Sequence, residues 1–434
     1  MTALDAVLLL CAVAAALIAV WSRRPPPRRL ALGVGAALAA LVTAQLALEG
    51  LLLRFAPVWL LIGVFALVAV RPPRSRSGRW TLRAAAVLLC GAAVLTWLVA
   101  PAVPSLPRPT GPHAVGAHVF RWTDASRPEA ARPGERRSVI AQLWYPAAPG
   151  GGRAPPYIDG LGRLPASVAG LPGRLMGAYG RIDVHARGDA PLAADRPRWP
   201  LVVFSPGAEA TRAFYSGLAV ELASRGWAVA VLDHPYESAV VQLADGRLVL
   251  NAHRFNQVAG DEARASAFMA AEQRVRAADL AFTLDQLGRE PGWRERLALD
   301  RVTAAGHSFG GASAIELWTR EPRVADAVNL DGTLYGDPAA DHPRPGRIVV
   351  VQSDEALTRH VGRYAEGLAR LTRGLGRAPE VVVVPGASHI SFTDAPAFVG
   401  WPVRLALPEL FGRRSAAEVQ RLAADQIAAV AGSH

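Results

Sequence analysis

Four apolar stretches fill the first hundred residues with almost no polar position inside them: Ala6 to Trp21, Leu30 to Leu48, Phe55 to Val70 and Ala84 to Val103. A helix that is apolar on every face has no side to offer water, so these stretches predict a membrane setting rather than soluble helices. The second and fourth hold 19 and 20 uncharged residues, close to the ~20 that cross ~30 Å of hydrocarbon at about 1.5 Å per residue. The first and third are shorter and need a thinner bilayer or snorkelling flanks; Pro57 lies near the start of the third, where a helix tolerates it best. No basic segment precedes the first apolar core and three more stretches follow it, which argues against a cleaved signal peptide.

From Ser138 onward the pattern changes to short β-branched runs alternating with Ala-rich helical ones, as in crossover units around a mostly parallel sheet. The predicted strands are Ser138 to Tyr145, Leu201 to Ser205, Trp227 to Asp233, Arg301 to Gly306, Ala325 to Leu330, Arg347 to Gln352 and Glu380 to Val384. The predicted helices are Arg212 to Arg225, Asp261 to Leu287, Gly310 to Arg320, Ala356 to Arg373 and Ala416 to Val430. Valine dominates the later strands, as when helices cover both faces of a sheet. Asp245-Gly246 between two short apolar runs predicts a small hairpin. Residues 146–199, rich in Gly and Pro and without period, read as excursions that form a lid or entry surface. Three regions follow: a transmembrane region over 1–103, a linker with a first strand over 104–137, and an α/β catalytic domain over 138–434.

Charge refines this division. All 47 basic residues are arginine. Residues 1–103 carry ten Arg against Asp5 and Glu49, a balance of +8, whereas the remainder carries 37 Arg against 34 acids, a balance of +3. The larger part therefore has no electrostatic footprint for nucleic acid despite a pI near 10.7. Cys11 and Cys90 sit in apolar runs, which rules out a disulfide framework or a thiolate metal site in the rest of the chain. Arg23, Arg24, Arg28 and Arg29 in the first loop, and Arg71, Arg74, Arg76, Arg79 and Arg83 in the third, mark those loops as cytoplasmic. Four crossings then put the N-terminus and everything after about residue 104 on the extracytoplasmic side of the cell membrane.

The candidate chemistry lies at Gly306-His307-Ser308-Phe309-Gly310, a G-x-S-x-G motif with a strand before it and a helix after it. That context predicts a nucleophile elbow, a sharp turn that presents Ser308 at the helix N-terminus and needs glycine where a Cβ would collide. There the N–H of Phe309 and the helix dipole face a developing oxyanion. A serine hydroxyl needs an imidazole base and an acid to orient it. His389 follows the last predicted strand, where the Ser, acid, His order of this fold places the base. His307 adjoins the serine and points away, His360 falls on a helix, and His234 and His253 are candidate pocket residues. Asp331 and Asp354 each follow a strand between Ser308 and His389, and spacing alone leaves both open.

The stretch Val203-Phe204-Ser205-Pro206-Gly207-Ala208, with Phe214-Tyr215, Leu222 to Trp227, Asp233-His234, Gly306 to Gly311 and Asn329-Leu330-Asp331, resembles the plasma or secreted platelet-activating factor acetylhydrolase family of α/β-hydrolases. The resemblance runs from about Ser138 to His389 and leaves the apolar stretches outside it. It implies an acid 23 residues past the serine, which is Asp331, with Asp354 in reserve. It also implies a first oxyanion donor at Ala208, partnered by Phe309. Where that family usually has histidine, this chain has Pro206.

The expectation is thus a membrane-anchored serine esterase of α/β-hydrolase fold, acting through Ser308, His389 and Asp331, without metal or organic cofactor. The resemblance implies phospholipids with short or oxidised acyl chains as substrates, as in 1-alkyl-2-acetylglycerophosphocholine esterase. A general short-chain or polyester carboxylesterase and a non-catalytic membrane sensor or scaffold are the competing readings. Oligomeric state is not legible.

Overall fold

The computed structural model describes residues 3–99, 103–258, 260–335, 346–357 and 361–432. It divides into two units. The first comprises Met1–Ser105, Leu161–Ile182 and Phe398–Val403, the second Leu106–Gly160, Asp183–Ala397 and Arg404–His434.

In the first unit, α1 (Ala3–Trp21), α2 (Arg28–Glu49), α3 (Ala56–Val70) and α4 (Arg76–Val99) account for the four apolar stretches. With the turn at Leu53 to Phe55 added to α3, all four are long and apolar enough to cross a membrane. The fourth differs from its expected bounds: Arg76, Arg79 and Arg83 belong to the helix rather than to the loop before it. The reason is local, because Pro72 and Pro73 bar helix just before, and nothing after Arg76 interrupts it. Arg83 donates to the carbonyl of Val20 (3.1 Å). Asp5, fully buried, pairs with Arg54 at 3.3 Å, and that guanidinium lies 3.7 Å from the Trp97 ring centroid. Part of the 146–199 segment belongs here too, including the short α5 (Ala166–Ala169). Leu52 bridges Met176, and Arg181 donates to the carbonyl of Glu49 at 2.7 Å.

The second unit is built on a nine-stranded sheet of β1 (Ala114–Pro128), β2 (Arg136–Ala147), β3 (Arg187–Gly188), β4 (Trp199–Ser205), β5 (Ala228–Asp233), β8 (Leu297–His307), β9 (Val324–Leu330), β10 (Ile348–Gln352) and β11 (Glu380–Val383). Strands β6 (Val240–Gln242) and β7 (Leu248–Leu250) form the expected hairpin beside it. The order across the large sheet is β11-β10-β9-β8-β4-β5-β2-β1-β3. From β5 to β11 every pairing is parallel, and β1–β2 and β2–β5 are antiparallel. This is the α/β-hydrolase fold. The sequence placed a first strand before 138 without bounds; β1 is 15 residues long and pairs with most of β2.

Helices α6 (Ser216–Ser224), α7 (Glu262–Leu287), α8 (Phe309–Arg320), α9 (Val361–Leu375) and α12 (Ala416–Ala431) connect and cover the strands, with short α10 (Trp401–Ala406) and α11 (Pro408–Phe411) between the last two. Of the helix predicted from Ala356, Ala356 and Leu357 lie in a turn and the described helix is Val361–Leu375; residues 358–360, with His360, lie outside the described residues. Alternate residues of the central strands, among them Leu201, Val203, Val302 and Ala304, are buried against Leu280, Leu284 and Leu287 of α7 and Ala312 and Ile315 of α8. Each valine, leucine or isoleucine among these contributes about 1.5–3 kcal/mol by leaving water. Strand β11 departs from the expectation of two covered faces. Val381 and Val383 are 44% and 48% exposed, because β11 ends the sheet order and has a neighbour on one side only.

Candidate active site

Strand β8 delivers His307 to the end of the sheet, and α8 begins one residue after Ser308. Ser308 has φ 55° and ψ −125°, a conformation that costs about 1–3 kcal/mol in a non-glycine residue. The neighbouring glycines make the turn possible. A Cβ on Gly306 would sit 2.3 Å from the carbonyl oxygen of Gly310, and one on Gly310 would sit 2.0 Å from that of Ser205. Either contact would push β8, α8 or β4 apart.

Ser308 Oγ is 3.0 Å from Nε2 of His389, and Nδ1 of His389 is 2.7 Å from Oδ2 of Asp331. The carboxylate can only accept, so Nδ1 carries the proton and Nε2 is left to accept from the Ser308 hydroxyl. Asp331 follows β9 with φ 57°, and its second oxygen accepts from the amide of Ser353 at 2.7 Å. Burial pushes its carboxyl up, but His389 and that amide outweigh burial and hold it below the usual carboxylate range. Beside it, Asn329 and Gly332 exchange two hydrogen bonds of 2.8 and 2.9 Å that close the turn.

Asp354 stands elsewhere. Its carboxylate accepts from the amides of Gly386 (2.8 Å) and Ala356 (3.0 Å), and its own amide donates to Ala387. Of the two acids that spacing left open, the fold brings Asp331 to His389 and uses Asp354 to brace the loop that carries it.

His307 does point away from Ser308, into a buried chain of bonds. Its Nε2 donates to the carbonyl of His389 at 2.9 Å, so its Nδ1 accepts from the Tyr215 hydroxyl, also at 2.9 Å. The Tyr215 oxygen in turn accepts from the amide of Gly207 at 2.9 Å. Burial, reinforced by His389, lowers the His307 pKa to about 3, so the ring stays neutral and the chain keeps one direction. It joins the loop after β4 to the loop bearing His389. Sequence reading missed this link; the proximity of Tyr215 to the G-H-S-F-G motif arises only when β4 and β8 pair.

Gly207 and Ala208 run past the serine: a Cβ on Gly207 would lie 3.3 Å from that of Ser308. The amides of Ala208 and Phe309 are not engaged by other groups of the described residues. Behind them Arg276 of α7, 2% exposed, donates to the carbonyl of Pro206 at 2.7 Å. An open pocket is lined by Ala208, Phe309, Arg276, Phe255, Phe268, Met269 and His253, among others. No residue from 146–199 is among those lining it, and Leu161–Ile182 belong to the unit of α1–α4. His253 thus meets the pocket, whereas His234 is fully buried and bonded to Ser205 and Asp279. No group of three or more His, Cys, Asp or Glu among the described residues could hold a metal ion.

The comparisons with known proteins agree with this architecture. The family platelet-activating factor acetylhydrolase, isoform II, matches residues 102–249. A probable 1-alkyl-2-acetylglycerophosphocholine esterase of the fungus Arthroderma benhamiae is 27% identical over 269 residues, which span 55% of this chain and 62% of that protein. The platelet-activating factor acetylhydrolase of Cavia porcellus is 24% identical over 67% of this chain and 69% of its own length. Among solved structures, a ferulic acid esterase from Streptomyces cinnamoneus superposes with a TM-score of 0.63 at 30% identity, over 76% of this chain and 92% of that one. The chain is thus similar to the platelet-activating factor acetylhydrolase family over residues 102–249 and, at 30% identity, to an esterase of known structure, which makes it a relative of carboxylic ester hydrolases.

Proposed function

We propose that this protein is a membrane-anchored serine esterase that cleaves carboxylic esters through an acyl-enzyme at Ser308. The observation that carries the reading is the run of short contacts from Ser308 Oγ through His389 to Asp331, beside two unengaged amides. Ser308 Oγ bonds to the ester carbonyl carbon while its proton passes to Nε2 of His389. The tetrahedral oxyanion takes hydrogen bonds from Ala208 and Phe309 at the N-terminus of α8. When the C–O bond to the alcohol breaks, His389 gives that proton to the departing oxygen. Water then attacks the acyl carbon and loses a proton to His389, which passes that proton to Ser308 Oγ as the acyl C–Oγ bond breaks and the acid leaves. Asp331 stays ionised and stabilises the imidazolium.

The substrate class we favour is phospholipid with a short acyl chain, in line with the acetyl group in the names of the Arthroderma benhamiae and Cavia porcellus relatives, extended to oxidised chains by the resemblance noted in the sequence. In this reading α1–α4 form the transmembrane region, 138–434 the catalytic domain, and the arginine distribution puts that domain on the extracytoplasmic side of the cell membrane. A C-terminal alkaline phosphatase fusion that stays silent, while a cytoplasmic reporter at the same place is active, overturns the orientation. The competing reading, a sensor or scaffold with a hydrolase-like domain, separates from ours in one experiment. A fluorophosphonate probe should label the full-length protein and should fail on Ser308→Ala; absence of labelling on folded wild type sinks the esterase reading. A turnover series across acyl lengths on phospholipids and p-nitrophenyl esters then tests the substrate class.

A further inference from the structure

Pro206, in the loop after β4, has no N–H to donate, and its carbonyl is held by a buried arginine. A peptide unit is planar and trans, so its carbonyl and its N–H point in opposite directions. Fixing one therefore aims the other. Arg276 Nη1 donates to the carbonyl of Pro206 at 2.7 Å and also approaches that of Gly207, at 3.5 Å. On the opposite side of the first of these peptides, the Gly207 N–H donates to Tyr215. The second peptide has its carbonyl turned toward Arg276 and the Ala210 amide, 3.2 Å away. Its N–H, which belongs to Ala208, is thereby turned the other way, out from Arg276. The same guanidinium lies 4.7 Å from the ring centroid of Phe309, the residue that supplies the other amide beside Ser308.

Arg276 is itself held. Its Nε donates to Glu237 at 2.9 Å, and the other oxygen of Glu237 accepts from Arg137, also at 2.9 Å. A planar fork with donors on several edges can bridge a carboxylate and a carbonyl at once, which a lysine ammonium on a flexible stem does less well.

We infer that Arg276 is a positioning residue for the oxyanion site: through the carbonyls of Pro206 and Gly207 and the ring of Phe309 it holds both amide donors in register with Ser308. This rests on the reading of Ser308 as an ester-cleaving nucleophile. Besides Arg276, the loop is held by the Tyr215 hydroxyl at the Gly207 amide and by the Ala239 amide, which donates to the carbonyl of Glu209 at 2.8 Å; small displacements of such donors are costly, on the order of 10²-fold for ~1 Å.

The test compares wild type with Arg276→Met and Arg276→Lys in the full-length protein, with p-nitrophenyl acetate as substrate. Arg276→Met should lower kcat by about 10²-fold, the scale of losing one oxyanion donor, with KM little changed. Binding of a trifluoromethyl ketone, which forms the tetrahedral adduct, should weaken in parallel with kcat/KM. Arg276→Lys should fall between the two, about tenfold below wild type, and it decides the matter if the methionine variant does not fold. A folded methionine variant, or a lysine variant, with wild-type kcat overturns the inference. So does a loss confined to KM. The two failures are distinguishable: wild type that neither labels with fluorophosphonate nor hydrolyses the ester removes the esterase reading itself, whereas active wild type with an equally active Arg276→Met removes only the role of Arg276.

Discussion

Among its described residues, the hydrolase unit contains two Ser, His, Asp chains of nearly equal geometry. In one, Ser308 Oγ lies 3.0 Å from His389 and His389 lies 2.7 Å from Asp331. In the other, Ser205 Oγ lies 3.0 Å from Nε2 of His234, whose Nδ1 lies 2.8 Å from Asp279. Distances do not tell them apart, but their surroundings do. Ser205, His234 and Asp279 are all fully buried, so no ester carbon can reach Ser205. The His389 side chain is 30% exposed, and Ser308 sits in a strained turn at a helix N-terminus beside unengaged amides. Asp279 is also shared: Arg137 donates to both its oxygens, at 2.7 and 3.2 Å. Burial works against the Asp279 charge, yet Arg137 and His234 overcome it and keep the carboxyl well below its usual range. Burial, with Arg276 nearby, lowers the His234 pKa, so that imidazole stays neutral. One chain is a structural tie under the sheet end; the other has an approach path and somewhere to put negative charge. Three residue types at bonding distance are not by themselves a reactive site.

The sharpest way to break this comparison is to remove each serine. Ser308→Ala should abolish fluorophosphonate labelling and lower p-nitrophenyl acetate turnover by at least about 10⁴-fold. Ser205→Ala should keep the labelling and most of the turnover, and should lose roughly 1–3 kcal/mol of stability as His234 loses a buried partner. Comparable labelling loss in both variants would erase the distinction.

The acids come next. Asp331→Asn should lower kcat by about 10⁴-fold through the wrong imidazole tautomer. Asp354→Asn, which only loosens the loop before His389, should cost far less, and a ranking in the reverse order would transfer the orienting role to Asp354. Tyr215→Phe is a smaller perturbation. It leaves the Gly207 amide and His307 Nδ1 without their shared partner, at about 1–3 kcal/mol of stability, and kcat should drop about tenfold if that energy appears in the barrier. Unaltered kcat and melting temperature would mean that the chain through His307 carries nothing.

The least effect on chemistry belongs to Asp394. It is buried, accepts from Tyr157, Gln420 and Gly217, and is pushed up to about 8, chiefly by burial. A carboxyl with a raised folded-state pKa binds more protons folded than unfolded between the two values. Stability from this group is therefore present below pH ~4, falls as pH rises toward 8, and is level above that. Asp394→Asn should flatten that part of the melting-temperature profile while turnover stays measurable; an unchanged slope would assign it to other groups.

Much of this was legible along the chain because it depends on neighbours in sequence. Apolar runs predicted α1 to α3 nearly to their ends, and β-branched runs marked most of the parallel strands. The elbow was readable because its glycines, strand and helix are contiguous. Parts set by distant pairing were not. The long β1–β2 hairpin has no period distinct enough to bound it. The uncovered face of β11 follows from its place at the sheet edge, which no local pattern reveals. Spacing left Asp331 and Asp354 equal, since two adjacent parallel strands bring both acids to the same end of the sheet. Only the turns after β9 and β10, and the loop closed by Gly386 and Ala387, give them different partners. Arg276 is one of 47 arginines, and nothing in its helix separates it from the rest. The amino-acid order thus determined which segments become helix or strand and which serine sits in a strained turn, since these depend on local sterics and hydrophobic period. Which serine is open to an ester, which acid meets the imidazole and what holds the amides were decided by tertiary structure, because burial and hydrogen-bond partnership belong to groups that meet only when the sheet assembles.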